Sequence, residues 1–251
     1  MNNKYFGKGF EVHYYEANEF REASIASIMN YLQDTAISQS QYAGLGVEKL
    51  IEKQRAWILT KWNIEIERYP SLGEKIIVNT WPSKFERCFA TREFVVKDEN
   101  ENEIIKAASL WIFLDTVRRK PLRIPEEVSN AYLLNPERAM QDRFEEAYDL
   151  KKDSYLKDFN IRKSDIDTNE HVNNVKYVEW IIETIPIELY KEYTLNFLDV
   201  RYIKELVLDN DIACSTEIIS QNELVFICVH TIKSPDGSIE FAKAKTIWHK
   251  R

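Results

Sequence analysis

Apolar residues recur along the chain with two helical periods. In the first half, the apolar side chains from Ile25 to Ala36 follow the i, i+3, i+4 spacing of one helix face, and Ser24 is a suitable N-cap. A second helix is predicted from Val172 to Ile185, where apolar residues cover most of the helix circumference. Pro186 is expected to end this helix, and its broad apolar surface predicts that it is enclosed.

Each predicted helix is followed by runs in which large apolar side chains alternate with polar ones. This period is typical of half-buried antiparallel strands, so we expect four such strands in each half. The predicted strands are 58–66, 76–81, 89–96 and 104–114 in the first half and 195–203, 212–220, 224–233 and 240–250 in the second.

The two halves are copies of one unit. Trp111 corresponds to Trp248 at a separation of 137 residues, and Phe10 corresponds to Phe159 at a separation of 149. The larger separation near the front of each half indicates an insertion of about a dozen residues in the first half, near 44–55.

A short extended segment, a helix and then consecutive strands resemble the hot dog fold, here duplicated in one chain. We therefore expect an α+β protein with a double (tandem) hot dog fold, in which an antiparallel sheet wraps each long central helix. The predicted organisation is a first unit at 1–130, a linker at 131–157 and a second unit at 158–251. Within the linker, the charged stretch 136–152 is expected to be helical.

Composition excludes several classes of function. The chain has 251 residues with a net charge of −7, which argues against nucleic acid as the main partner. Six glycines and no Gly-rich motif leave no phosphate-binding loop. The longest apolar run is far too short for a membrane span, and three scattered cysteines favour a reducing cytoplasm. No second histidine stands at ligand spacing from His171, so we expect neither a metal nor another cofactor.

The strongest local signal precedes the second helix. Asp167, Asn169 and His171 alternate, and in an extended segment alternate side chains project to one side. The segment ends at a helix N-terminus, whose N–H groups favour a developing anion. The first half has Asn18, Phe20 and Glu22 at the corresponding positions, so the chemistry is predicted in the second unit only.

The run 165–180, DIDTNEHVNNVKYVEW, resembles the signature of the acyl-acyl carrier protein (acyl-ACP) thioesterases of plants and bacteria. The segments 201–205 in the second half and 56–59, 68–70 and 80–82 in the first half resemble this family too. The resemblance implies hydrolysis of the thioester that joins a fatty acyl chain to acyl carrier protein, with release of free fatty acid.

The same resemblance assigns the candidate catalytic residues. Asp167, Asn169 and His171 match the D-x-N-x-H residues of the family, and Glu205 matches its downstream glutamate. Glu205, or His171 coupled to it, would activate water, and Asn169 with helix N–H groups would hold the carbonyl oxygen. Asp167 is either the orienter of this network or a nucleophile. Plant members carry a cysteine after the glutamate, whereas this chain has Leu206, so thiolate chemistry is impossible there.

Substrate and partner contacts are expected in the first half. Ile28, Leu32 and Trp57 are candidate walls of an acyl slot, because the first copy of the motif is spent. A cationic cluster in this acidic chain is a candidate docking patch for acyl carrier protein, which is strongly acidic. Its members are Arg118, Arg119, Lys120 and Arg123.

Three rival functions stay open. They are an acyl-coenzyme A thioesterase, a hot dog hydratase and a non-catalytic acyl-binding sensor. A monomer and a homodimer are both compatible with a fused pair of units. Of the remaining aromatic and polar side chains, Tyr177 and Trp180 are expected in the core and Asn173 and Asn174 at the helix cap. The other histidines are expected at the surface or as filler, at His13, His230 and His249.

Overall fold

The structure, a computed structural model, describes residues 5–141, 149–152 and 154–251. The chain forms two compact units, Met1–Asp142 and Arg143–Arg251, so the division lies inside the predicted linker 131–157. Among the described helices, none combines the length and the hydropathy that crossing a membrane requires.

The first unit is a five-stranded antiparallel sheet with one long helix. The strands lie in the order β1-β3-β4-β5-β2, and the two-residue β6 pairs with the end of β5. Its elements are β1 (Phe6–Glu11), a 3₁₀ turn (Tyr14–Glu16), α1 (Ile25–Tyr42), α2 (Val47–Glu52), β2 (Arg55–Ile66), β3 (Lys75–Glu86), β4 (Phe89–Lys97), β5 (Glu103–Asp115), β6 (Lys120–Pro121) and α3 (Glu126–Ala131).

The second unit repeats this plan. Its strands lie in the order β7-β9-β10-β11-β8, and all neighbours are antiparallel. Its elements are β7 (Tyr155–Asn160), a 3₁₀ turn (Lys163–Asp165), α4 (Asn174–Glu183), α5 (Ile187–Glu192), β8 (Tyr193–Tyr202), β9 (Asp211–Gln221), β10 (Val225–Lys233) and β11 (Glu240–Lys250). The predicted double hot dog arrangement and all eight predicted strands are confirmed.

Strand register confirms the internal repeat. Phe10 pairs with Ile76 in the first unit, and Phe159 pairs with Ile212 in the second, which reproduces the separations of 149 and 136. The corresponding tryptophans also make the same contact. Trp111 Nε1 donates to Ser109 Oγ at 2.7 Å, and Trp248 Nε1 donates to Thr246 Oγ1 at 2.9 Å.

The two long helices begin at corresponding caps. Ser24 Oγ accepts a hydrogen bond from Ser27 N, and Asn173 Oδ1, 149 residues later, accepts one from Val175 N. Both helices then bury an apolar stripe, which in α1 includes Ile28, Met29 and Leu32. The second helix begins two residues later and ends two residues earlier than predicted, and Pro186 is the N-cap of the unpredicted α5.

Part of the linker packs on the first unit. Asn135 N donates to Pro82 O, and Trp81 Nε1 donates to Glu137 O at 2.8 Å. Ala139 N donates to the fully buried Glu93 carboxylate at 3.2 Å. These backbone groups bond to the sheet and not to a helix, so the predicted helix is wrong for 136–141 and is also not present at 149–152. The rest of that prediction, 142–148 and 153, lies outside the described residues.

His230 corrects one prediction about the histidines. It is fully buried on β10, and its ring nitrogens bond to Thr216 Oγ1 at 2.7 Å and Thr246 Oγ1 at 2.8 Å. Burial lowers the pKa of His230 to about 3, so the ring is neutral at neutral pH. It is a hydrogen-bonded core residue, whereas His13 and His249 are exposed as expected.

Both caps are testable. Ser24→Ala and Asn173→Ala remove the side-chain acceptor at the first turn of α1 or α4, and each is expected to lower the free energy of unfolding by about 1 kcal/mol. Urea denaturation followed by circular dichroism measures the loss. Asn30→Ala, at an exposed position inside α1, is the matched control and should not destabilise the protein. Unchanged stability in both cap variants would contradict the assignment.

Candidate active site

The segment from Asp167 to His171 is a closed turn and not an extended strand. Ile166 and Val172 form a β-bridge across its base, and Asp167 N donates to His171 O at 2.8 Å. Asp167 Oδ1 accepts from Asn169 N at 2.8 Å, which folds the turn locally, and Glu170 adopts a left-handed φ of 64°. The prediction that three alternate side chains project from an extended segment is therefore wrong.

The turn is anchored to the elements on either side of it. Asn173 N donates to Asp165 O at 2.8 Å, and Asp165 is itself buried and bonded by Arg162 through its guanidinium and its N–H. Burial alone would raise the pKa of Asp165, but the hydrogen bonds and charge of Arg162 bring it below its ordinary value. The carboxylate is thus a structural ion at the entry to the turn.

His171 and Glu205 meet across the site. His171 Nε2 lies 3.1 Å from Glu205 Oε2, and the two side chains are 32% and 42% exposed. An ion pair this open to solvent contributes little to stability, so stability does not account for it. The sequence thus correctly brings these two candidate residues together although they are 34 positions apart (205 − 171).

A backbone bond sets the distance between the two segments. Val172 N, next to His171, donates to Leu206 O, next to Glu205, at 2.9 Å. Tyr177 in α4 adds a second connection, because Leu206 N donates to its hydroxyl at 3.0 Å. Burial raises the pKa of Tyr177, and the negative charges of Glu205 and Asp167 raise it further, so both carboxylates face this ring.

The remaining candidates divide into near and separate groups. Asn169 is exposed and Asp167 is half-buried in the same turn as His171. The first N–H groups of α4 are partly occupied, because Val175 N bonds to Asn173 Oδ1 and Lys176 N bonds to Asn173 O. The expected use of these helix N–H groups for an oxyanion is therefore wrong for these two.

The corresponding turn of the first unit has the same backbone. Asn18 N donates to Glu22 O at 2.8 Å, and Asn18 Oδ1 accepts from Phe20 N at 2.9 Å. Ala23 N donates to Pro70 O, as Val172 N does to Leu206 O. The fold thus builds this turn around an Asp or an Asn, whereas it does not require the amide and imidazole of the second turn.

The three predicted acyl-slot residues do not share one cluster. Ile28 and Leu32 are fully buried on α1. Trp57 packs with Phe113, with ring centroids 4.8 Å apart, in a smaller cluster formed with α2 and α3. The insertion near 44–55 supplies α2, so it builds this cluster and separates Trp57 from the α1 stripe.

The predicted basic patch lies on the connection from β5 to α3. All four cations are exposed, and the turn is held by bonds from the N–H groups of Val117 and Arg118 to Asp115 Oδ1. The patch comprises Arg118, Arg119, Lys120 and Arg123. Across the described part of the chain, no group of three or more metal-ligating side chains converges.

Sequence reasoning placed Tyr177 in the core and gave it no further role. It is buried, as expected, but its hydroxyl is bonded to the backbone beside Glu205. The available signal was its residue type, because a tyrosine on a buried helix face carries a hydroxyl that needs a partner.

Family models match almost the whole chain. The N-terminal domain of acyl-ACP thioesterases matches residues 3–132, and the C-terminal domain of the same family matches residues 148–250. A palmitoyl-acyl carrier protein thioesterase of Gossypium hirsutum is 28% identical over 98% of this chain. An acyl-[acyl-carrier-protein] hydrolase of Cuphea viscosissima is 30% identical over 96% of it. The chain spans 64% and 61% of these two chloroplastic relatives.

Solved structures share the fold. The 12:0-ACP thioesterase from Umbellularia californica superimposes with a TM-score of 0.89 at 24% identity, covering 100% of this chain and 96% of that one. An acyl-ACP thioesterase from Bacteroides thetaiotaomicron gives a TM-score of 0.88 at 24% identity, covering 98% of both chains.

Proposed function

The chain belongs to the acyl-ACP thioesterase family, and from this membership we propose that it hydrolyses the thioester of fatty acyl-ACP and releases free fatty acid. The observation that carries the proposal is the contact of His171 with Glu205 beside the turn of Asp167 and Asn169. It provides a base, an amide and a second carboxylate within one short stretch of the second unit.

The reaction needs three things from these residues. The Glu205–His171 pair takes a proton from water, whose oxygen attacks the thioester carbonyl carbon. The Asn169 amide donates to the carbonyl oxygen as it becomes negative, because two α4 N–H groups are already bonded. The C–S bond then breaks, and the thiolate leaves and takes up a proton.

Asp167 is proposed as the orienter of this network. Its carboxylate already accepts from Asn169 N, and Asn18 makes the same bond in the first unit. Attack by Asp167 on the thioester, with a short-lived anhydride, is the second possibility. A cysteine nucleophile beside Glu205 is excluded, because position 206 is a fully buried leucine.

We predict that Asp167→Asn, Asn169→Ala, His171→Ala and Glu205→Ala each lower turnover by about 10² to 10⁴ and leave the fold intact. Asp167→Asn is informative because asparagine retains the turn, as Asn18 does, and removes only the charge. Single-turnover hydrolysis of acyl-ACP with thiol release measures each rate.

The control is Glu22→Ala, at the position of the first turn that corresponds to His171, and its turnover should stay within about twofold of the parent. A folded variant of any of the four residues with parental turnover would remove that residue from the proposal. Loss of turnover in Glu22→Ala would contradict the assignment of the chemistry to the second unit.

The acyl chain is proposed to bind in the first unit. Support comes from the apolar side of α1, where Ile28 and Leu32 are fully buried. Trp57 stays a proposed wall, although it packs in the cluster of α2 and α3. Supporting a catalytic role over a non-catalytic sensor are the intact D-x-N-x-H residues and the His171–Glu205 contact.

The proposed partner is acyl carrier protein, bound by the exposed patch at 118–120 and 123. We predict a steep fall in kcat/KM with rising salt for acyl-ACP and a shallow one for a small acyl thioester. Arg118→Ala with Arg123→Ala should flatten the first dependence. The control pair, Lys75→Ala with Lys191→Ala, removes exposed cations elsewhere and should not.

Equal salt sensitivity for both substrates would contradict carrier docking at this patch. The same assay with acyl-coenzyme A separates the carrier-protein thioesterase from its coenzyme A rival, and water addition without thiol release would identify a hydratase. The proposed compartment is the cytoplasm, which the three free cysteines support. The proposed assembly is a monomer or a homodimer.

A further inference from the structure

The hydroxyl of Tyr177 contacts the chain on both sides of Glu205. It accepts from Leu206 N at 3.0 Å and donates to Lys204 O at 3.4 Å. These residues are the immediate neighbours of Glu205, so one oxygen atom holds the two peptide groups that determine where the carboxylate points.

Glu205 needs such support because it lies outside the sheet. β8 ends at Tyr202 and β9 begins at Asp211, so no strand ladder orders the residues between them. Glu205 itself is exposed, whereas Tyr177 is 3% exposed and has fixed packing. Its ring meets Tyr202 edge-on, with centroids 5.3 Å apart, so the hydroxyl belongs to a rigid wall.

The first unit shows that the fold does not require this contact. There, Ile28 occupies the position of Tyr177, Pro70 that of Leu206 and Tyr69 that of Glu205. Ile28 has no hydroxyl and Pro70 has no N–H, yet Ala23 N still donates to Pro70 O as Val172 N does to Leu206 O. The hydroxyl, the donating N–H and the carboxylate are therefore present together in one unit and missing together in the other.

We propose that Tyr177 is a positioning residue, whose hydroxyl fixes the Lys204–Leu206 backbone and so aims Glu205 at His171. This inference rests on the proposed role of Glu205 in hydrolysis. Burial keeps the hydroxyl protonated, so that it donates to Lys204 O while it accepts from Leu206 N. Tyr177 acts through Glu205 and does not touch the reacting atoms.

The first test needs no activity. In Tyr177→Phe the ring remains and the Leu206 N–H loses its acceptor, so amide hydrogen exchange at Leu206, followed by NMR, should be at least about tenfold faster. The control is Tyr193→Phe, which removes a similarly buried hydroxyl that donates to Glu223 O at 3.2 Å in another turn. Exchange at Leu206 should not change in this control, and parental exchange in Tyr177→Phe would overturn the proposal.

The second test is kinetic and separates positioning from general packing. Tyr177→Phe should lower kcat about tenfold with KM within about twofold, while Tyr193→Phe should leave both unchanged. In a Glu205→Ala background, Tyr177→Phe should change kcat by less than about twofold, because the carboxylate that it aims is gone. The same tenfold loss in both backgrounds would overturn the proposal.

The two tests fail differently. A parent protein that hydrolyses no acyl thioester would end the proposed function, and amide exchange at Leu206 would still decide whether Tyr177 holds this segment. A parent that hydrolyses acyl-ACP, with exchange and kcat unaffected by Tyr177→Phe, would leave the proposed function standing and exclude the positioning role.

Discussion

The hydrogen bond from Val172 N to Leu206 O joins two segments that are distant in sequence. It fixes the turn that carries His171 against the connection that carries Glu205, so that two side chains on irregular backbone meet at 3.1 Å. A backbone bond suits this task because it does not depend on side-chain identity. The residues beside it are therefore free to acquire chemistry, and in the second unit they carry an imidazole and a carboxylate.

Duplication explains why only one unit carries the proposed chemistry. Both units form the same turn, the same helix cap position and the same bond across the turn base, with Asn18 or Asp167 as the turn acceptor. Glu22 and Tyr69 replace the imidazole and the carboxylate in the first unit. The shared features therefore serve the fold, and the differences between the copies identify the residues that stability does not account for.

Periodicity predicted the strands and the repeat because alternation and spacing are local properties of the sequence. The turn at 167–171 could not be predicted in the same way, since a side-chain bond from Asp167 and a left-handed Glu170 override the extended pattern. The linker was mispredicted because Glu93, Pro82 and Trp81 bond to its backbone, and such distant partners leave no local signal. The meeting of His171 with Glu205 came from the family resemblance and not from spacing.

The central claim is that His171 and Glu205 work as one unit in hydrolysis. A double-mutant cycle on kcat for acyl-ACP hydrolysis, with His171→Ala, Glu205→Ala and both together, tests it most directly. The account predicts that the double variant is no slower than the slower single variant, to within about threefold. Losses that multiply in the double variant would contradict it, because the two residues would then act independently.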